Sequence, residues 1–242
     1  MTITVLESSD AVAAALAERV ASMLRAKPDA VLGLASGRTP VDGYAELMRL
    51  HAAGETDWSR ASTFNLDEFA GIDPQHPGSF RTFMERHLFD GVNLRPERIH
   101  FLNGVAADLN AECERYESAI AHAGGIDLQL LGIGSNGHIG FNEPGDDLPV
   151  RTHRVQLMES TRRDNAMLFG NDPARVPNEA VSMGIGTILR ARRILLVATG
   201  EKKADCIRQA TDGRLTTRVP ASMLQVHTDV ELLLDRDAAS RI

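Results

Sequence analysis

Four short stretches carry the side chains capable of chemistry. Asp67 and Glu68 stand side by side in "NLDEF". Asn136, His138 and Glu143 fall within "GIGSNGHIGFNEPG". Ser36, Gly37, Arg38 and Thr39 make up most of "SGRTP", and Lys203 follows "LLVATG". Paired carboxylates can supply a general base. If strand geometry holds through them they point to opposite faces, so only one enters a shared crevice. Histidine is the side chain suited to proton transfer near neutral pH, and a nearby Glu can orient it or fix one tautomer. "SGRTP" is a Gly-containing turn entering a helix that starts with Pro. Its backbone N–H groups and the helix N-terminus favour an anion, with the Ser36 and Thr39 hydroxyls adding hydrogen bonds. The plainer alternative is an ordinary helix cap. Gly132, Gly134, Gly137 and Gly140 let backbone approach a ligand closely. They also mimic a dinucleotide fingerprint, but "FNEPG" breaks the helix that such a site requires.

The elements that must position these residues alternate. "ITVLES" and "AVLGLASG" read as strands, with the Ser/Asp-started helical pattern "SSDAVAAALAERVASMLRAK" between them. A helix from Pro40 to Gly54 follows, then "ASTFNLDEF", a strand running into acidic residues. "IDLQLLGIG" is a near-continuous apolar run, as expected of a central parallel strand covered on both faces. "RRILLVATG", the helical "EKKADCIRQATDG" and the strand "DVELLLD" complete the pattern. This order predicts an α/β fold: a doubly wound, mostly parallel, Rossmann-like sheet with helices on both faces. No repeat or linker divides the chain, so residues 1–242 read as one domain. Residues 145–178 are the least regular, with "THRVQLM" either a strand or an irregular extension, and read as a lid-like segment. In such sheets ligands sit beyond the carboxyl ends of the strands, and all four polar stretches fall there.

The composition narrows the function classes. The chain has 242 residues, 43% hydrophobic and 24% charged, enough for a sizeable core without staples. A net charge of −7 and no basic stripe argue against nucleic acid as a partner. Cys113 and Cys206 lie in helix-like segments without ligand spacing, which argues against a metal site. No leader or bilayer-length apolar run is visible, so no membrane partner is expected and the compartment expected is the cytoplasm.

Taken in order, "GLASGRTP", "FNLDEFAGI", "HPGSF", "LLGIGSNGHIGFNEPG", "SMGIGTIL" and "PASMLQVH" resemble the glucosamine-6-phosphate deaminases over nearly the whole chain. The related 6-phosphogluconolactonases share a Gly-His loop, but "FNEPG" and "NLDEF" favour the deaminase branch. The resemblance implies conversion of an amino-sugar phosphate and water to a ketose phosphate and ammonia, with no cofactor. It implies that His138 opens the sugar ring, positioned by Glu143 and Asn136. It implies that Asp67 takes the carbon-2 proton, and that Glu68 is structural. The phosphate falls to Ser36, Gly37, Arg38, Thr39 and Lys203, with Lys202 the less favoured neighbour.

Two features depart from that pattern. Asn136 stands where longer members carry Asp, and shorter members share the Asn. Met167 stands where the family commonly has a phosphate-binding Arg. Arg38, Arg162 and Arg163 could compensate, and Arg38 is the one expected to, because it already lies in the anion turn. A sister branch acting on galactosamine 6-phosphate also tolerates Met there, which leaves the epimer open, as is the choice between monomer and homo-oligomer. The chain ends soon after "ELLLDRD", which implies little allosteric activation.

Overall fold

Parallel pairing dominates the computed structural model, which describes residues Met1–Ile242. The elements run β1 (Thr2–Leu6), α1 (Ser9–Ala26), β2 (Val31–Leu34), α2 (Val41–Ala52), β3 (Ser62–Asn65), β4 (Asp67–Phe69), α3 (Phe80–His87), β5 (Ile99–His100), α4 (Leu109–His122) and β6 (Leu128–Leu131). They continue with β7 (His153–Gln156), α5 (Glu159–Asn165), β8 (Glu179–Ser182), α6 (Ile185–Leu189), β9 (Arg193–Ala198), α7 (Ala204–Thr211) and β10 (Val230–Asp235). Seven strands form one sheet in the order β1-β10-β9-β6-β2-β3-β5, every pair parallel. Each residue of β2, β6 and β10 is buried, so both faces of the central sheet are covered, as the doubly wound reading expects. No helix is long and apolar enough to cross a membrane.

The sequence reading missed a second, antiparallel sheet, β4-β8-β7. "ASTFNLDEF" is two strands. β3 ends at Asn65, Leu66 bridges, and β4 leaves the main sheet to pair Asp67 with Ser182 on β8. The break matters because β4 lifts Asp67 out of the main sheet and over its carboxyl edge. "THRVQLM" supplies β7, the far strand of this small sheet. The segment 145–178 is therefore more ordered than its composition suggests. Its Leu157, Ala166, Phe169 and Val176 join Phe69, Phe80 and Phe141 in an apolar cluster of their own. The ring of Phe169 meets that of Phe69 edge-on at 5.3 Å. One smaller boundary also differs: α2 begins at Val41, with Pro40 as its cap.

Buried carboxylates tie the layers together. Glu117 on α4 accepts from the Thr152 backbone N–H (2.8 Å), the Thr152 hydroxyl (2.7 Å) and the Thr187 hydroxyl on α6. Burial opposes its charge, but these donors outweigh burial and hold its pKa below the usual carboxylate range. Stability from Glu117 is therefore present above the unfolded pKa and lost as pH falls through the folded one. Glu117→Ala leaves those donors unpaired. It is expected to lower stability by about 3 kcal/mol, or Tm by roughly 6–10 °C, as read by thermal denaturation at neutral pH.

Candidate active site

A cleft of 860 Å³ opens at the carboxyl ends of β2, β6 and β9. Ser36, Gly37, Arg38, Thr39, Asp67, His138 and Lys203 all line it. Asn136 and Glu143 stand behind His138 rather than on the wall: Glu143 lies beside the imidazole, and Asn136 donates to Glu143 and accepts from the His138 backbone N–H at 3.2 Å. The outer rim mixes exposed Lys202 with Asp42 and Glu201.

The turn Ser36–Pro40 is held from two sides. The Tyr44 hydroxyl on α2 donates to the Ala35 carbonyl at 2.6 Å, drawing the helix back onto the end of β2. Asn65 Nδ2 donates to Ser36 Oγ at 3.3 Å from the neighbouring strand. No side chain caps α2, so neither Ser36 nor Thr39 serves as the ordinary helix cap. The first N–H groups of α2 lack side-chain partners at the cleft, an arrangement that suits an anion. Lys203, half-buried at the head of α7, donates from Nζ to the Ile133 carbonyl at 2.6 Å. Burial lowers its pKa, with Cys206 and Asp164 opposing that shift. The arginines differ in availability. Arg162 is spent on the Val176 and Pro173 carbonyls (3.2 and 2.8 Å), and Arg163 pairs with Glu159 at 2.7 Å. Arg38 is exposed on the cleft wall.

Asp67 and Glu68 diverge as strand geometry requires. Asp67 faces the cleft and is only 5% exposed. Burial, then the neighbouring Glu68 charge, push its pKa well above the usual carboxylate range. Glu68 turns the other way and is fully engaged. It accepts from Ser79 Oγ (2.7 Å) and from the N–H groups of Phe69, Phe80 and Arg81 (2.9, 3.1 and 3.1 Å). Glu68 thus clamps the start of α3 to β4. The segment before Asp67 is also pinned. The Tyr116 hydroxyl donates to the Asn65 carbonyl at 2.7 Å, and Met183 N–H donates to the Leu66 carbonyl at 2.8 Å.

The loop after β6 brings the histidine opposite. A Cβ on residue 134 would fall 2.3 Å from His138 Cε1, so glycine is what allows the imidazole to lie against this backbone. Gly140 adopts φ +54, and a Cβ there would lie 3.7 Å from Asp67 Oδ2, which places the loop beside this carboxylate. Asn142 Nδ2 donates to the Ile139 and Met183 carbonyls (2.8 and 2.9 Å), locking the loop to the end of β8. Glu143 Oε2 lies 3.5 Å from His138 Nδ1 and accepts from Asn136 Nδ2 at 2.9 Å. Its Oε1 accepts from Met158 N–H at 3.1 Å. Burial alone would raise the Glu143 pKa, but His138, Thr161 and Asn136 together drive it down to about 2. An ionised Glu143 accepts only, so it favours the proton on His138 Nδ1 and leaves Nε2 as the basic nitrogen.

Three residues at this site carried no signal in the sequence. In the sequence Asn65 is only part of a strand. Thr161 and Asp164 lie on α5, inside the segment read as irregular. Asp164 lines the cleft and accepts from Ser135 Oγ at 2.9 Å, while Thr161 Oγ1 lies 3.5 Å from His138 Nδ1.

One cleft thus combines a desolvated carboxylate, a carboxylate-oriented imidazole and an open helix N-terminus with a lysine beside it. That combination suits proton transfer on a small phosphorylated substrate. Residues 5–233 match the family of glucosamine-6-phosphate isomerases/6-phosphogluconolactonase, and the chain belongs to that family. It is 51% identical over 224 residues to glucosamine-6-phosphate deaminase 2 of Bacillus subtilis (strain 168), covering 92% of this chain and 90% of that one. The solved structure of a monomeric glucosamine-6-phosphate deaminase superposes with a TM-score of 0.97 at 42% identity, covering 100% of both chains. A 6-phosphogluconolactonase from Thermotoga maritima shares the fold alone, with a TM-score of 0.76 at 20% identity over 97% of this chain and 99% of that one.

Proposed function

We propose that this protein is a glucosamine-6-phosphate deaminase, converting glucosamine 6-phosphate and water to fructose 6-phosphate and ammonia. The observation that carries the reading is the pairing across one cleft of two groups suited to proton transfer: Asp67, a buried carboxylate whose charge is penalised, and His138, an imidazole with an ionised Glu143 beside its Nδ1. Two separate proton movements are what this reaction requires. His138 removes the anomeric hydroxyl proton and returns one to the ring oxygen, which opens the sugar. Asp67 then takes the proton from carbon 2, giving an enolamine, and delivers it to carbon 1. Water adds to the resulting imine, and ammonia leaves. Glu143 and Asn136 keep the imidazole oriented, and Glu68 holds β4 so that Asp67 alone faces the sugar.

The phosphate sits at the other end of the cleft, on the α2 N-terminus, Ser36, Gly37, Thr39 and Lys203. Arg38 supplies the guanidinium that the relatives' pattern places at the position of Met167, since Arg162 and Arg163 are engaged elsewhere. Arg38→Ala is expected to raise KM roughly tenfold with kcat little changed, the loss of one exposed charge-assisted contact. An unchanged KM would remove Arg38 from the phosphate site. Residues 145–178 act as a lid within a single domain, and the protein works as a monomer, since the chain itself supplies every group used. Light scattering after size exclusion checks that state.

The deciding experiment measures ammonia release from glucosamine 6-phosphate and galactosamine 6-phosphate side by side. Release from the gluco epimer is expected. Release from the galacto epimer alone would move the assignment to that sugar, and release from neither would overturn it.

A further inference from the structure

The face that α5 turns towards the His138 loop has a role that the reaction alone does not assign. Thr161 is 1% exposed, and its hydroxyl oxygen lies 3.5 Å from His138 Nδ1. A buried helical threonine ordinarily returns its hydroxyl to a carbonyl one turn earlier. Here the hydroxyl addresses the imidazole instead, and it is among the donors acting on Glu143. The same helix meets the loop at two further points. Before its first turn, Met158 N–H donates to Glu143 Oε1 at 3.1 Å. Near its end, Asp164 accepts from Ser135 Oγ at 2.9 Å. The backbone carbonyl of Thr161 is occupied by Asn165 Nδ2 at 2.9 Å, which steadies the turn that carries it.

We propose that Thr161 is a positioning residue for ring opening: its hydroxyl, delivered by α5, holds His138 with the proton on Nδ1 and so presents Nε2 to the sugar. The proposal rests on the deaminase reading above. Nδ1 has two neighbours, Glu143 Oε2 and Thr161 Oγ1, both at 3.5 Å. A carboxylate at that distance aligns the ring loosely, and a second oxygen on the same nitrogen restricts its rotation. Because α5 also reaches the cleft wall through Asp164 and Asn165, a shift of this helix alters the imidazole setting and the cleft wall together.

The test pairs Thr161→Val, which keeps the branched shape and removes the hydroxyl, with Thr161→Ser, which keeps the hydroxyl. Expected are a roughly tenfold fall in kcat for the Val variant with KM within about twofold, and recovery to within about threefold of wild type for the Ser variant. Binding of the acyclic alditol analogue of the substrate, which needs no ring opening, is expected to be unchanged in both. Nitrogen-15 NMR of the imidazole reads the tautomer directly: wild type is expected to carry the proton on Nδ1, and Thr161→Val to show a mixture. Equal kcat in wild type and Thr161→Val, a Ser variant as impaired as Val, or a wild-type proton on Nε2 would each overturn the proposal. The last measurement stands even if the Val variant does not fold. Wild type that releases no ammonia from either epimer would sink the functional reading, whereas the tautomer still judges Thr161.

Discussion

Asp67→Asn is expected to abolish ammonia release and, at the same time, to raise the melting temperature. The rate falls because Asn cannot accept the carbon-2 proton; loss of a general base typically costs 10²–10⁴-fold in kcat, about 10³ here. Deuterium wash-in at carbon 1 in D2O should vanish in parallel. The stability effect has the opposite sign. Burial and the Glu68 charge raise the folded pKa of Asp67, so the folded protein binds this proton more tightly than the unfolded chain does. Its charged form is therefore a penalty that grows as pH rises from the ordinary carboxylate range through the raised folded pKa, and is complete above it. Asn removes that penalty, and because Asp67 lines the cleft, water can satisfy the new amide. A gain of about 1–3 kcal/mol at neutral pH follows, some 3–8 °C in Tm, shrinking as pH falls towards 4. The same raised pKa sets the acid limb of the rate profile, because Asp67 must be ionised to act. That limb belongs above the usual range for Asp.

Glu143→Gln should show both effects with the stability sign reversed. Without the carboxylate, His138 Nδ1 loses the charged neighbour that lies 3.5 Å away, and kcat is expected to fall about 10²-fold. Glu143 is held ionised down to about pH 2, so it contributes stability above the unfolded carboxylate pKa, and that contribution is lost as pH falls through about 2. The variant should therefore be less stable at pH 7 by up to about 3 kcal/mol, and the wild-type and variant stabilities should converge in strong acid. Denaturant titrations at pH 7 and pH 3 measure both. Equal stability at pH 7 would mean that the donors around Glu143 do not hold it as described. The two carboxylates thus form a built-in control: one costs the fold stability, the other supplies it, and each variant should lose activity.

The parallel sheet was legible because its central strands are apolar runs punctuated by glycine and flanked by amphipathic helices. The residues on the cleft wall were legible for a related reason. His138 and Ser36–Thr39 occupy loops at strand ends, where each stretch of sequence is local and self-contained. The antiparallel sheet was not, because β4, β7 and β8 are three or four residues each and come from distant parts of the chain. No local periodicity announces a three-residue strand whose partner lies over a hundred positions away. The contrast between Asp67 and Glu68 was foreseeable from strand alternation, but the four donors waiting for Glu68 were not, since three sit at the start of α3. Thr161 was hidden because nothing in "ESTRRDNAMLF" marks which face of a short helix meets the imidazole.

The chain's only two tyrosines, Tyr44 and Tyr116, are fully buried, and each donates its hydroxyl to a carbonyl at the end of a site-bearing strand. Burial raises both phenol pKa values. The unfolded chain releases these protons near pH 10, whereas the folded one retains them, so stability declines as pH climbs beyond that point. Phenolate absorbance should therefore appear in an alkaline titration as one cooperative step, when the ends of β2 and β3 come apart, rather than as two independent ionisations. The protein carries its own optical gauge of whether the platform beneath the Ser36–Pro40 turn and Asp67 is intact.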